Sequence, residues 1–429
     1  MTKFVTPCVW LGLLCIATPL TAQDVERLSL KDAEQRALQM HPQVLAGEYN
    51  SRAAGETARE VKSAYFPTVV GSITGAAAED GSRIAAGGLN NPIILDRLAG
   101  GIAASQLLTD FGRTPNLVHS STLRAGALQQ DAITQRAEVL LRVDRAYFNA
   151  LRARAVLRVA QDTVSSRQLV VDQVSALAAS NLKSGLDVSF AKVNLAEAQL
   201  LLLQARNDVQ AGFASLAAAL GLAHAPVFEL SEEPLPPAPA ADGASVVNQA
   251  LRDRPDVAAE RLAQQATSKF ADAERALWFP TISTIGVAGL TPYRQVGLNL
   301  HYAAVGVNVS VPLSNGGLFS ARHAEANLRT QAQEQRVRDL ENRVARDARV
   351  AWLDAQAGFQ RLDLTNQLLD QATQALDLAQ ARYNLGLSSI VELTQAQLNQ
   401  TRAEIEQASA RYDYGAQMSA LRYQTGALR

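Results

Sequence analysis

The residues best suited to bind a metal or carry a proton near neutral pH are five histidines, His41, His119, His224, His301 and His323. No two of them share a ligand spacing. No Gly-x-Ser-x-Gly, His-Glu-x-x-His or phosphate-loop string accompanies them. Nucleophilic, metal and nucleotide chemistry therefore lack a carrier, and neither catalysis nor a cofactor is expected. Two carboxylates stand out instead by position. Asp187 in "LKSGLDVSFAKVN" (Leu182 to Asn194) and Glu392 in "LSSIVELTQAQLN" (Leu387 to Asn399) occupy the same place in two similar strings. Each opens a helix that returns from a turn, at Asn181 or Gly386, where an acid favours the helix dipole and caps free N–H groups.

Both cysteines, Cys8 and Cys15, fall within the first sixteen residues. That stretch carries Lys3, is largely apolar from Phe4 to Ile16, and reads as a secretory signal peptide over 1–22, cut after Ala22. Bulky Leu14 argues against lipidation of Cys15. The exported remainder then uses no disulfides. A net charge of −1 provides no field for nucleic acid. Beyond the leader no apolar run is long enough for a membrane-spanning helix.

What must position the two acids is a duplicated unit. Pro42 and Pro255 lie 213 positions apart, as do Pro67 and Pro280 in "YFPT" and "WFPT". Further on, an offset of 205 superposes Tyr147 on Trp352, Asn181 on Gly386 and Gly221 on Gly426. The first copy therefore carries eight extra residues, which belong in an exposed loop between its two strands. The expected layout is a first repeat over 23–221, a Pro-rich linker over 222–243 and a second repeat over 244–429. A helix opens each copy, with Ser29 as N-cap in the first, and "YFP" or "WFP" ends it. Two β-strands follow, at about 65–110 and 279–313. Val305, Val307, Val309 and Val311 lie on one face of the cleanest strand.

Proline then disappears, from Asn116 to Ala225 and again from Leu313 onward. Without a helix breaker these stretches predict helical hairpins at about 116–221 and 317–426. Apolar residues step by three and four from Val188 through Ala191, Ala198 and Ala205 to Ala219, and from Leu362 to Tyr383. Alternate small residues in the first seam allow close approach of backbones. Four strands per chain cannot close a barrel, and an open edge cannot persist in lipid. A homotrimer would supply twelve strands. Tyr65, Phe66, Trp278 and Phe279 then fall where helix meets strand, either as an interfacial aromatic girdle or as a plug over the helical core.

On these features the sequence resembles the TolC-like family of outer-membrane efflux and secretion channels. The likeness rests on the duplication, on "RPDVAAE" (Arg254 to Glu260), "WFP", "VPLSNGG" (Val311 to Gly317) and "RYNLGLSSIVEL" (Arg382 to Leu393). It implies a mixed α and β membrane protein: a trimeric twelve-stranded β-barrel continuous with a long periplasmic α-helical barrel. The implied partners are a periplasmic adaptor (membrane fusion protein), an inner-membrane pump and outer-membrane lipid. By the same resemblance, Asp187, Tyr383, Ser388, Glu392 and Gln395 are candidates for a gate. Asn181, Leu182, Arg382, Leu385, Gly386 and Leu387 are candidates for the adaptor contact. Gln395 stands where the family may carry a carboxylate, and Ser388 where some members have arginine, so a tightly charged lock is not expected. "RPDVAAE" is similar to the efflux branch, which favours small molecules such as drugs or toxic compounds. The alternatives are type I protein secretion and a periplasmic coiled-coil adaptor.

Overall fold

The computed structural model describes residues 26–79, 81, 96–224, 228–294 and 299–429. The expected leader over 1–22 lies outside the described residues. The first copy runs β1 (Glu26–Leu28), α1 (Leu30–Met40), α2 (Pro42–Lys62), β2 (Thr68–Ala76), β3 (Arg97–Thr109), α3 (Arg113–Ala179) and α4 (Gly185–Ala219). The second runs β4 (Phe228–Leu230), α5 (Gly243–Asp253), α6 (Pro255–Arg275), β5 (Thr281–Arg294), β6 (His301–Ser310), α7 (Leu318–Asn384) and α8 (Ile390–Gln424). Corresponding helices match residue for residue. α1 and α5 have 11 residues each, α2 and α6 have 21, α3 and α7 have 67, and α4 and α8 have 35.

The single opening helix expected in each copy is in fact two. His41 and Arg254, with ψ of 124° and 128°, are extended between them. The following prolines are the cause, because the Pro ring clashes with an α-conformation in the residue before it. Ser29 caps α1 as expected: its hydroxyl accepts from Asp32 N–H, and Asp32 accepts from Ser29 N–H in return. At about 1.5 Å per residue, α3 and α7 are each about 100 Å long. Their seams follow the three-four spacing. Ala191, Ala198 and Ala205 are buried in α4, and Thr365, Ala372, Ala379 and Tyr383 in α7. Gln199, off the seam, is exposed. The small residues bring helices close: a Cβ on Gly212 would stand 3.3 Å from Ala150 Cα on α3.

The strands form one antiparallel sheet in the order β2-β3-β5-β6, so the two copies join through β3 and β5. Among the described residues β2 and β6 each keep one edge unpaired. The register places Val69, Ile73, Ile102, Ile282, Leu290, Val305, Val307 and Val309 on one face, and Thr68, Ser72, Thr74, Ser105, Ser283, Asn308 and Ser310 on the other. One side of the sheet is thus mainly aliphatic, interrupted by Gln106 and Thr284, and the other mixes hydroxyl residues with Val70, Leu107, Ile285 and Val287. Val311 falls just beyond β6. The longer interval of the first copy lies between Ala76 and Arg97, partly outside the described residues.

Halfway down the long helices lies a waist. β1 pairs in parallel with β4, two three-residue strands that lie before and after the helices of the first copy. Leu28, Ala33, Ala37, Val44, Val143, Tyr147, Leu216, Leu220, Phe228 and Leu230 pack beneath them. In the second copy Val246, Ala250, Val257, Val344, Ala348, Ala355 and Leu421 form the matching core. The linker between is strapped down by side-chain donors. Tyr147 Oη shares its one proton between Leu28 O (2.9 Å) and Ser231 O (2.7 Å), Tyr414 Oη donates to Pro237 O (2.6 Å), and Trp352 Nε1 to Ala240 O (2.7 Å). Tyr147 and Trp352 are the repeat-equivalent aromatics, so one position of the unit holds both ends of the strap.

Candidate functional site: the hairpin tips

Two turns at the far ends of the long helices carry the candidate residues. α3 ends at Ala179 and α7 at Asn384, and the chain reverses through Asn181 (φ 57°) and Gly386 (φ 74°). Both sit in the left-handed region, where Gly is unstrained and Asn is the next most tolerant residue. The turns close alike: Leu182 N–H donates to Leu177 O at 2.9 Å, and Leu387 N–H to Arg382 O at 2.8 Å. This geometry turns Leu182, Leu385 and Leu387 outward, Leu385 being 74% exposed.

The two acids then diverge. Asp187 serves its own helix: Asp187 Oδ2 accepts from Ser184 N–H at 3.2 Å, while Ser184 Oγ accepts from Leu186 N–H at 3.0 Å. Glu392 has the backbone half of such a cap, its N–H donating to Ser389 Oγ at 3.4 Å. Its carboxylate instead reaches back across the turn to Arg382, with Oε1 3.1 Å from Nε. Both side chains of that pair are about half exposed, so water screens the attraction.

Tyr383 lies between the tips. It is 4% exposed and packs with Val170, Val171, Val174, Ala191, Ile390 and Leu393. Lys183 Nζ stands 4.0 Å from its ring centroid, a cation–π contact from the first tip to the second hairpin. Tyr383 Oη and Ser388 Oγ are buried without a hydrogen-bond partner among the described residues. Burial, and then the nearby Asp187 charge, raise the Tyr383 phenol above its ordinary value. Gln395 Nε2 donates to Asn399 Oδ1 at 3.0 Å. Within the chain, then, the counter-charge for Glu392 comes from Arg382 and not from Tyr383, Ser388 or Gln395. Arg382 had been placed with the tip surface; its pairing with Glu392 becomes visible only once the turn length is known.

Above the tips the hairpins are tied by Asn194 Nδ2 to Thr394 Oγ1 (2.9 Å) and by buried Arg167 to Thr401 Oγ1 (3.2 Å). At the opposite end, Tyr65, Phe66, Trp278 and Phe279 stand exposed at the helix-to-strand junctions. Trp278 meets Phe319 edge-on (5.6 Å between centroids), and Phe279 tilts against Phe111 (6.2 Å). Among the described residues no group of three or more His, Cys, Asp or Glu is arranged to hold a metal.

A half-apolar sheet with free edges, carried on two long helical hairpins, defines the chain as an outer-membrane channel protein. It belongs to the outer membrane efflux protein family, whose model matches residues 33–222 and 246–427. Outer membrane protein TolC of Salmonella enteritidis is 21% identical over 354 residues, covering 77% of this chain and 71% of that protein. A solved structure of the outer-membrane channel OprN superposes with a TM-score of 0.82 at 20% identity, over 93% of this chain and 90% of OprN. That of CusC gives 0.81 at 17% identity, over 92% of both chains. The protein is therefore an outer-membrane efflux channel with a periplasmic helical extension, and its family is one of ducts, not enzymes.

Proposed function

We propose that three copies of the chain close a twelve-stranded barrel whose lumen continues through a periplasmic tunnel of long helices. The duct would be the outer-membrane exit of a tripartite export system. A periplasmic adaptor would meet the tips, and an inner-membrane pump would load small molecules such as drugs or toxic compounds. The observation that carries this reading is the sheet, with its two outer edges unpaired among the described residues and one face mainly aliphatic. Unpaired backbone groups cost several kcal/mol each in lipid, so β6 of one copy must pair with β2 of the next. β2, with 9 residues, and β6, with 10, match the roughly 9–11 residues of a tilted membrane strand. Tyr65, Phe66, Trp278 and Phe279 would then line the interface of the apolar band, and Asp187 and Glu392 would gather at the narrow end. Mass measurement of the particle extracted in mild detergent tests the assembly. Three chains per particle are expected, and a stable monomer retaining its β-signal in circular dichroism would contradict the reading.

A further inference from the structure

The waist holds a pair of acids that the duct itself does not explain. Asp144, near the middle of α3, is 0% exposed, and neither of its oxygens meets a donor in hydrogen-bonding geometry among the described residues. Its neighbour is the half-buried carboxyl of Glu34 on α1, whose adjoining Ala33 packs in one core with Val143 and Tyr147, the residues around Asp144 on α3. The other groups facing them are few. α8 contributes the buried Ser419 hydroxyl and the exposed Arg422 guanidinium. The linker contributes Glu233, a further negative charge, whose Oε1 accepts from Leu30 N–H at 3.0 Å. Leu38, Leu140 and Leu141 lie alongside on the same two helices.

Two neighbouring carboxylates, one of them fully buried, cannot both stay charged without a cation or a proton between them. A single proton satisfies both, turning one acid into the donor that the other lacks. We propose that Glu34 and Asp144 share one proton, and that this proton fastens α1 to α3 at the waist, so that α1 loosens when the proton is lost to solvent. Burial, and then the adjacent Asp144, push Glu34 up to about 7. Burial likewise raises Asp144, only partly offset by the nearby Ser419 hydroxyl, the Glu34 carboxyl and the Arg422 guanidinium, none of which meets its oxygens in good hydrogen-bonding geometry.

The sign follows from the direction of these shifts. Unfolded, the two groups ionise near their ordinary values of 4.5 and 3.8, whereas folded the pair keeps its proton to about pH 7. The stabilisation is complete below about pH 4, falls as pH rises towards 7, and is gone above it. The second copy has no such fastening: the repeat offsets place Val247 and Arg349 where the first has Glu34 and Asp144.

Amide hydrogen exchange of the full-length protein in detergent, corrected for intrinsic rates, tests the proposal. Between pH 5.5 and 8, protection across Ala33 to Ala37 should fall about tenfold, the effect of one unit of pKa difference surviving solvent screening. The equivalent stretch Val246 to Ala250 should not change. Glu34→Gln, which supplies its own donor, should flatten the dependence, and Asp144→Asn should do the same. Unchanging protection in the natural chain would overturn the proposal, as would full pH dependence in Glu34→Gln. The latter variant decides alone if Asp144→Asn does not assemble.

Discussion

The two copies agree in every helix length and differ in where they place charge. In the first, an acid pair is buried at the waist, and the tip acid, Asp187, is used up by its own helix cap. In the second, the waist carries an ion pair of opposite charges instead, Arg254 with Asp256 (Nη2 to Oδ2 2.6 Å), beside Val257 and Trp352, and a further pair sits at the tip as Arg382 and Glu392. The scaffold was therefore kept while its fastenings were redistributed. A buried acid pair ties a helix to a dry core and responds to protons. A half-exposed ion pair is weak, screened by salt and easily exchanged for another partner. On this reading both copies are anchored at the waist, by acids in the first and by Arg254 with Asp256 in the second, and Arg382–Glu392 at the second tip is the pair able to exchange partners at the narrow end.

The largest expected effect breaks the contact at the tips. Leu387→Asp should abolish export, read as loss of resistance to a pumped compound, while leaving trimers in the outer membrane. Leu182→Asp should do so less completely if the second hairpin dominates the contact; equal loss would make the tips equivalent. Next come the seams. Ala198→Leu and Ala205→Leu should each cost about 1–3 kcal/mol by overpacking. Their repeat partners Ala403 and Ala410, each 1% exposed, should cost the same. Gln199→Leu should be nearly silent in thermal denaturation, and equal costs at all these positions would show that the seam is wrongly phased. The smallest effect distinguishes the acids. Asp187→Asn should lower stability by about 0.3–1 kcal/mol through its cap and dipole. Glu392→Gln should change stability less, because its ion pair is half exposed.

Much of this architecture is written in local signals. Long proline-free runs with three-four spacing define α3, α4, α7 and α8, and Asn181 and Gly386 mark their reversals. Other features escaped for physical reasons. β1 and β4 are three residues each, too short for any periodicity, and pair across the whole first copy. Pro42 served as a repeat marker, while its effect on His41 splits the opening helix. Asp144 lies between Arg142 and Arg145, so in sequence it looks like one more surface charge, and nothing local points to Glu34 as its partner. Arg382 and Glu392 are brought together only by the tip turn. Whether the tip acids line a lumen depends on neighbouring copies, which one chain's sequence encodes only through its free edges.

Planar-bilayer recording tests most directly the claim that three copies make one duct narrowed at the hairpin tips. Three Asp187 and three Glu392 side chains at that end should make the natural channel cation-selective and subject to block by divalent or trivalent ions added on the tip side. Like charges 4 Å apart at an effective dielectric of about 20 repel by about 4 kcal/mol, so the ring has reason to bind such ions. The double variant Asp187→Asn with Glu392→Gln should conduct with weaker block and less selectivity. Unchanged block and selectivity in that variant would show that these acids cap helices away from the lumen, and failure of the natural protein to form channels would contradict the duct itself.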